Sequence, residues 1–179
     1  ISAGTCDGAA GSFEILPTDK TGRDLRGQGR LEFVGKHHLR FAESGELFLK
    51  CGTDSPENLL DYEDFDDTPN AGDRRKSWSP HAADYNAAEA AAFTWQGGKG
   101  SELLGAFRYL SSEGLNAVSF LTFSLDGDDD NVFPHLLVAG QSFGTSSDDT
   151  RWEGNVVHHD RFDVSKLAQW ENLFSYATL

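Results

Sequence analysis

Apolar residues fall on alternate positions at Leu31 and Phe33 and again at Leu39 and Phe41, the spacing that lines one face of a strand. The stretch "HLRFAESGELFLK" has two such arms around Glu43-Ser44-Gly45-Glu46 and predicts a β-hairpin. A shorter apolar run at 12–16 (SFEIL) predicts a further strand ahead of the turn-rich "PTDKTGRDLRGQG". The period then changes. Over 99–113, Leu103, Leu104, Phe107 and Leu110 share one face at helical spacing, with Ser101 placed to cap the start and Gly114 to end the helix in a left-handed turn. The next run, "NAVSFLTFSL", has the length and β-branched and aromatic content of a strand. Together with a strand at 46–51 it predicts a βαβ unit with parallel pairing and a right-handed crossover. Near the end, "FDVSKLAQWENLFSYATL" predicts a second helix, capped by Asp163, with Leu167, Trp170, Phe174 and Ala177 on its inner face.

Two stretches lack this periodicity. About 45 residues after Asp54 read as a functional loop or lid, with a short helix around 86–93 inside it, and residues 124–162 read as a second long loop. The first ten residues, rich in Gly, Ala and Ser, read as a linker.

Charge narrows the choice of partners. The 179 residues carry 29 Asp and Glu against 15 Lys and Arg, so the chain would repel a phosphate backbone, and nucleic acid is excluded as a partner. The acidic runs at 61–67 and 126–130 read as solvated loops. No stretch approaches the roughly 20 apolar residues that span a bilayer, so membrane insertion is not expected. Cys6 and Cys51 read either as a disulfide clipping the N-terminal segment to the following strand or as two buried free thiols.

Four blocks in one order carry a resemblance: "GRLEFVGKHHLRFAESGELFLKCGTDSPENLLDYEDFD", "GKGSELLGAFRYLSSEGLNAVSFLTF", "DGDDDNVFP" and "RFDVSKLAQWENLF". They resemble the DUF5060-type family of secreted glycoside hydrolases, in which an immunoglobulin-like N-terminal region precedes a (β/α)8 barrel acting on carbohydrate. The resemblance implies an α/β chain. Residues 1–37 would be the end of the β-sandwich and its junction, and residues 38–179 the first two βα units of the barrel. It also implies a secreted protein whose partner is a polysaccharide or oligosaccharide. A closed barrel takes about 250 residues, so the expectation is a fragment, completed by the rest of the same protein or by other copies in a homo-oligomer. Two features depart from the family pattern: the 25-residue stretch "LLVAGQSFGTSSDDTRWEGNVVHHD" and Cys51 where glycine is expected.

In a barrel the loops after the strands form the active face. This assigns Asp54, Glu57, Asn58 and Asp126 to the substrate groove, beside a bland reading in which Asp54 and Glu57 only shape a turn around Pro56. Glycoside hydrolysis needs two carboxylates about 5 to 9.5 Å apart, and the resemblance puts that pair after later strands, so no catalytic residue is assigned within the chain. Trp95, like Trp78 and Trp152, is read either as a sugar-stacking ring or as a loop anchor. The cluster of Asp126, Asp128, Asp129, Asp130 and Asn131 offers oxygens to a structural calcium through Asp126, Asp128 and Asp130, but lacks the EF-hand order. No cofactor is otherwise required. The alternative function is a non-catalytic extracellular structural or carbohydrate-binding protein that assembles through an open βα edge.

Overall fold

The computed structural model describes residues 8–54, 56–125, 129–140 and 156–179. Helices and strands are mixed along the chain, so the protein is of the α/β kind. It divides between Phe48 and Leu49 into two compact units.

The first unit is built on a three-stranded antiparallel meander: β1 (Leu31–Phe33), β2 (Leu39–Phe41) and β3 (Leu47–Phe48). Register pairs Leu31 with Phe41, Phe33 with Leu39, and Leu39 with Phe48, so the alternation read from sequence places these apolar side chains on one face. Phe41 is buried and meets Phe48 edge to face at 5.6 Å. The polar face carries Glu32, which pairs with Arg40 at 3.3 Å and Arg30 at 3.5 Å. The hairpin turn closes as expected, with Gly45 at φ 74° and the Phe41 N–H donating to the Glu46 carbonyl at 2.9 Å.

Two expectations for this region fail. Residues 12–16 form no strand; Phe13, Ile15 and Leu16 stand exposed, because no described strand offers them a ladder. The boundary expected at 37/38 falls inside the meander, between β1 and β2, whereas the units divide after Phe48.

The second unit contains β4 (Gly52–Asp54), α1 (Ala87–Ala90), α2 (Ser101–Ser112), β5 (Ala117–Ser119), β6 (His135–Leu137), β7 (Val157–Phe162) and α3 (Val164–Ala177). β4 and β5 pair in parallel across α2, which is the expected βαβ order, but the first strand sits later than expected. The apolar run at 46–51 is divided: Leu47 and Phe48 complete the meander, and the parallel strand starts at Gly52. Asn116 extends the parallel ladder with its side chain, accepting from the Cys51 N–H at 2.8 Å and donating to the Leu49 carbonyl at 3.0 Å. At the other end the Leu121 N–H donates to the Pro56 carbonyl at 2.9 Å.

Helix ends follow their local chemistry. The Asp163 carboxylate caps α3 by accepting from the Lys166 N–H at 3.0 Å. Gly114, at φ 85°, ends α2, and the Leu115 N–H returns to the Leu110 carbonyl. The start of α2 differs from expectation: Gly100 is the cap, Ser101 lies inside the helix, and the Gly100 N–H is held by Asp64 Oδ2 at 2.9 Å. The short helix expected around 86–93 is α1 followed by a 3₁₀ turn at Ala91–Phe93, capped by Asn86.

The stretch after Asp54 is the largest correction. Far from forming a lid, it supplies Leu59, Leu60, Tyr62, Phe65 and Trp95 to the main core, where they meet Leu103 and Leu104 of α2 and Trp170 and Leu173 of α3. Phe65 stacks on Trp95 at 5.2 Å and takes Tyr62 and Trp170 edge-on at 5.6 and 6.3 Å. The second long loop is also partly ordered: β6 and β7 pair antiparallel over a smaller core of Leu125, Phe133, Val156 and Val157. Among the described residues no helix is long and apolar enough to cross a membrane.

Candidate functional site

Parallel pairing of β4 and β5 sets Asp54 opposite Ser119, so both strands end at the same level and their following loops leave side by side. Asp54 is exposed, and Glu57 and Asn58 are half-buried in the turn that follows. Ser119 Oγ accepts from Lys50 Nζ at 2.5 Å. The predicted trio therefore lies at the carboxyl end of β4, next to the segment leaving β5. Asp126, predicted to join them, lies outside the described residues, as does Asp128.

The acidic run at 61–67 is not a solvated loop. Asp61 is fully buried. Asp64 Oδ2 accepts from the Tyr62 hydroxyl and the Gly100 N–H, both at 2.9 Å, and its carbonyl accepts from Trp95 Nε1 at 2.9 Å. Burial, followed by the neighbouring Asp64, raises the Tyr62 phenol above its ordinary range. Asp66 accepts from Ser165 Oγ at 2.6 Å and Gln96 Nε2 at 2.9 Å. Partial burial opposes ionisation of Asp66, but these donors win and hold its carboxyl below the usual value. Asp64 thus ties the loop to the start of α2 and Asp66 ties it to α3.

A second constellation lies deeper and joins distant parts of the chain. Asn131 Nδ2 donates to Asp61 Oδ2 at 3.1 Å, and Asn131 Oδ1 accepts from the Ala71 N–H at 2.8 Å. Asp61 Oδ1 and both carboxylate oxygens of Asp129 are buried with no hydrogen-bond donor among the described residues. Burial pushes the Asp61 carboxyl up to about 8, with a further rise from Asp129 beside it, against the lowering effects of Asn131 and Lys76. Asp129 is raised as well, first by burial. Sequence reading placed Asp61 in one solvated acidic run and Asp129 and Asn131 in a cluster read either as a solvated loop or as a calcium site; only the fold brings the three together.

Of the three predicted calcium ligands, Asp126 and Asp128 lie outside the described residues and Asp130 is buried. Among the described residues no group of three or more His, Cys, Asp or Glu side chains could hold a metal ion. Trp95 is an anchor: it is 8% exposed, one ring face lies on Phe65, and an atom added at Gly100 would meet its other edge. It presents no free face to a sugar. Trp78 is half-buried and packs on the main core, and Trp152 lies outside the described residues. Cys51 is an exposed free thiol, which matches neither the bridge to Cys6 nor the buried thiol offered as its alternative; Cys6 lies outside the described residues.

Lys166 escaped sequence reading altogether. Its side chain is buried in the first turn of α3, and Nζ donates to the carbonyls of Asp67 at 3.1 Å and Phe133 at 3.4 Å while lying 4.3 Å from the centre of the Phe133 ring. The first position of the pattern 166, 169, 170 and 173, all buried, was the available signal.

No family model matches the chain, and neither a curated protein nor a solved structure does.

Proposed function

We propose that the chain forms the opening βα units of a secreted, carbohydrate-active (β/α)8 protein that hydrolyses glycosidic bonds in a polysaccharide. The reading rests on the four-block resemblance to DUF5060-type glycoside hydrolases, and one observation carries it: the parallel β4–α2–β5 order with Asp54 level with Ser119. In a barrel this is the end of the strands at which substrate binds. Asp54, Glu57 and Asn58 line the groove, together with the Asp126 loop, and the catalytic pair is assigned to none of these 179 residues. The experiment is binding and hydrolysis of a panel of neutral polysaccharides by the full-length protein and its Asp54→Ala/Glu57→Ala variant. Binding by the parent, weakened about tenfold or more in the variant, is the expected result; one lost hydrogen bond to a charged partner costs about 1.5–3 kcal/mol, so a tenfold loss is within reach. No polysaccharide bound, or equal binding by both proteins, overturns the groove assignment.

A second reading draws on the edge of the same sheet. Gly52, Thr53 and Asp54 of β4 are all exposed, and β5 is the single strand paired to it among the described residues. An open edge of this kind accepts another strand, which suits a non-catalytic protein that assembles through it. Native mass spectrometry separates the two: a defined homo-oligomer without hydrolysis favours assembly, and a monomer that cleaves polysaccharide favours the enzyme.

A further inference from the structure

The first unit holds an open strand edge and, in the same chain, an exposed segment with the pattern of a strand. β1 stands at the edge of the meander, and no described strand lies on its outer side. Phe13 and Ile15 are 88% and 84% exposed, and with Glu14 between them they alternate as a half-buried strand does. We propose that residues 11–15 of a second copy add to the free edge of β1, and that the exchange is reciprocal, so that the chain forms a closed two-fold dimer through its first unit. This surface is not the β4 edge, and it does not depend on the carbohydrate reading.

Hydrogen bonding, shape and charge at this edge all fit that segment. The Ala42 N–H donates to the Arg30 carbonyl at 2.8 Å, so Arg30 and Glu32 bond inward to β2. By the alternation of an antiparallel ladder, Leu31 and Phe33 then turn their N–H and C=O groups outward, where a further strand can meet them. An antiparallel strand that sets Phe13 opposite Leu31 and Gly11 opposite Phe33 uses those groups, and it asks nothing of Pro17, which has no N–H. In this register Phe13 and Ile15 extend the apolar face of Leu31, Phe33 and Leu39, on which Phe33 is 76% exposed. Glu14 falls on the other face, directly across from Arg30. That face carries Arg30 and Arg40 around the single carboxylate of Glu32, with Arg30 exposed and 3.5 Å from it. Glu14 supplies the second negative charge.

The segment of the same chain does not reach this register. The Lys20 carbonyl lies against Gly27, where an added Cβ would be 2.5 Å from its oxygen. Folding back onto β1 from that contact would set Ile15 against Glu32 and Glu14 against Phe33, an odd shift that reverses the two faces. A segment from a second copy is free of that constraint, and two reciprocal additions cover the open β1 edge of both chains.

The test is analytical ultracentrifugation of the full chain and of three variants, Phe13→Asp, Glu14→Arg and Arg30→Glu. All three side chains are exposed in the single copy, so none of the changes disturbs its core. The wild type is expected to dimerise, and each variant alone to dissociate at concentrations about tenfold higher or more. Glu14→Arg and Arg30→Glu mixed in equal amounts should recover the dimer, because residue 14 of each copy then meets the opposite charge at residue 30 of the other. A wild type that stays monomeric overturns the proposal. So does a dimer that Phe13→Asp leaves intact, since it forms at another surface. A mixture that does not recover overturns it as well, because the contact between residues 14 and 30 would then not run between copies.

Discussion

A Cβ atom built on Gly52 would lie 1.5 Å from the carbonyl oxygen of Ala117. The two residues are register partners in the single parallel ladder of the chain's described residues, so β4 and β5 approach each other as closely as they do only because position 52 has no side chain. Backbone on both sides of the clash leaves no flexible atom to move away. Gly52→Ala is therefore expected to separate the strands and to cost about 3 kcal/mol or more, at the upper end of overpacking effects. Gly11→Ala is the control, since a Cβ there meets nothing within 4 Å. Chemical denaturation of both variants checks this; equal midpoints would show that the parallel ladder adjusts freely.

A similar approach occurs on α2. Alanine at Gly105 would gain up to about 1 kcal/mol of helix propensity, but its Cβ would come within 2.2 Å of the His81 carbonyl oxygen and 3.0 Å of the Tyr85 nitrogen. The 3₁₀ turn Ser79–Asp84 rests on this face of the helix. The clash should win, giving a net loss of about 1–3 kcal/mol. A Gly105→Ala variant more stable than the parent would mean that the turn is loosely attached.

These two glycines show where sequence reading stops. The helices were legible because their signals are local: Asp163 caps α3 and Gly114 ends α2, each within a turn of the backbone groups it serves, and α1 lies in an alanine-rich stretch of high helix propensity. The hairpin was legible for the same reason. The start of β4 was not, because the run at 46–51 is uniformly strand-like and its division between two sheets depends on Ala117, far along the chain. Charge density misled at 61–67 and 129–131. Nothing near Asp61 in sequence reports that Asn131, 70 positions away, will bury it. Lys166 was hidden differently: its acceptors are backbone carbonyls, which leave no mark in a sequence. In the predicted groove, Asp54, Glu57 and Asn58 were placed by the strand end alone.

Trp95 offers a clean separation between anchoring and sugar binding. It stacks on Phe65, reaches the Asp64 carbonyl through Nε1 and lies against Gly100. Trp95→Ala should cost about 3–5 kcal/mol through the cavity it leaves. Trp95→Phe keeps most of the ring volume, so it should fold and retain whatever polysaccharide binding the parent has. Loss of binding by a folded Trp95→Phe protein would return the residue to the groove.

The last prediction concerns Lys166, whose linkage to pH has the opposite sign to that of the buried carboxyls. Burial lowers its ammonium to about 8 from the ordinary 10.5, even though Asp163, Asp67 and Asp66 favour the charged form. Below pH 8 folded and unfolded chains both hold the proton, and the group adds no slope. Between 8 and 10.5 the unfolded chain holds a proton that the folded chain has released, so stability contributed by this residue rises with pH. Lys166→Met keeps the stem but has nothing to titrate, and it leaves the Asp67 and Phe133 carbonyls without their donor. The stability difference between parent and variant should consequently move in favour of the parent as pH goes from 8 to 10, after being flat between 6 and 7.5. Taking the difference cancels the contribution of Asp61 and Asp129, which both proteins share. Urea unfolding of the pair across this range provides the measurement, and a difference that stays constant or falls with pH would show that Lys166 keeps its proton in the fold and that the two carbonyls and the Phe133 ring outweigh its burial.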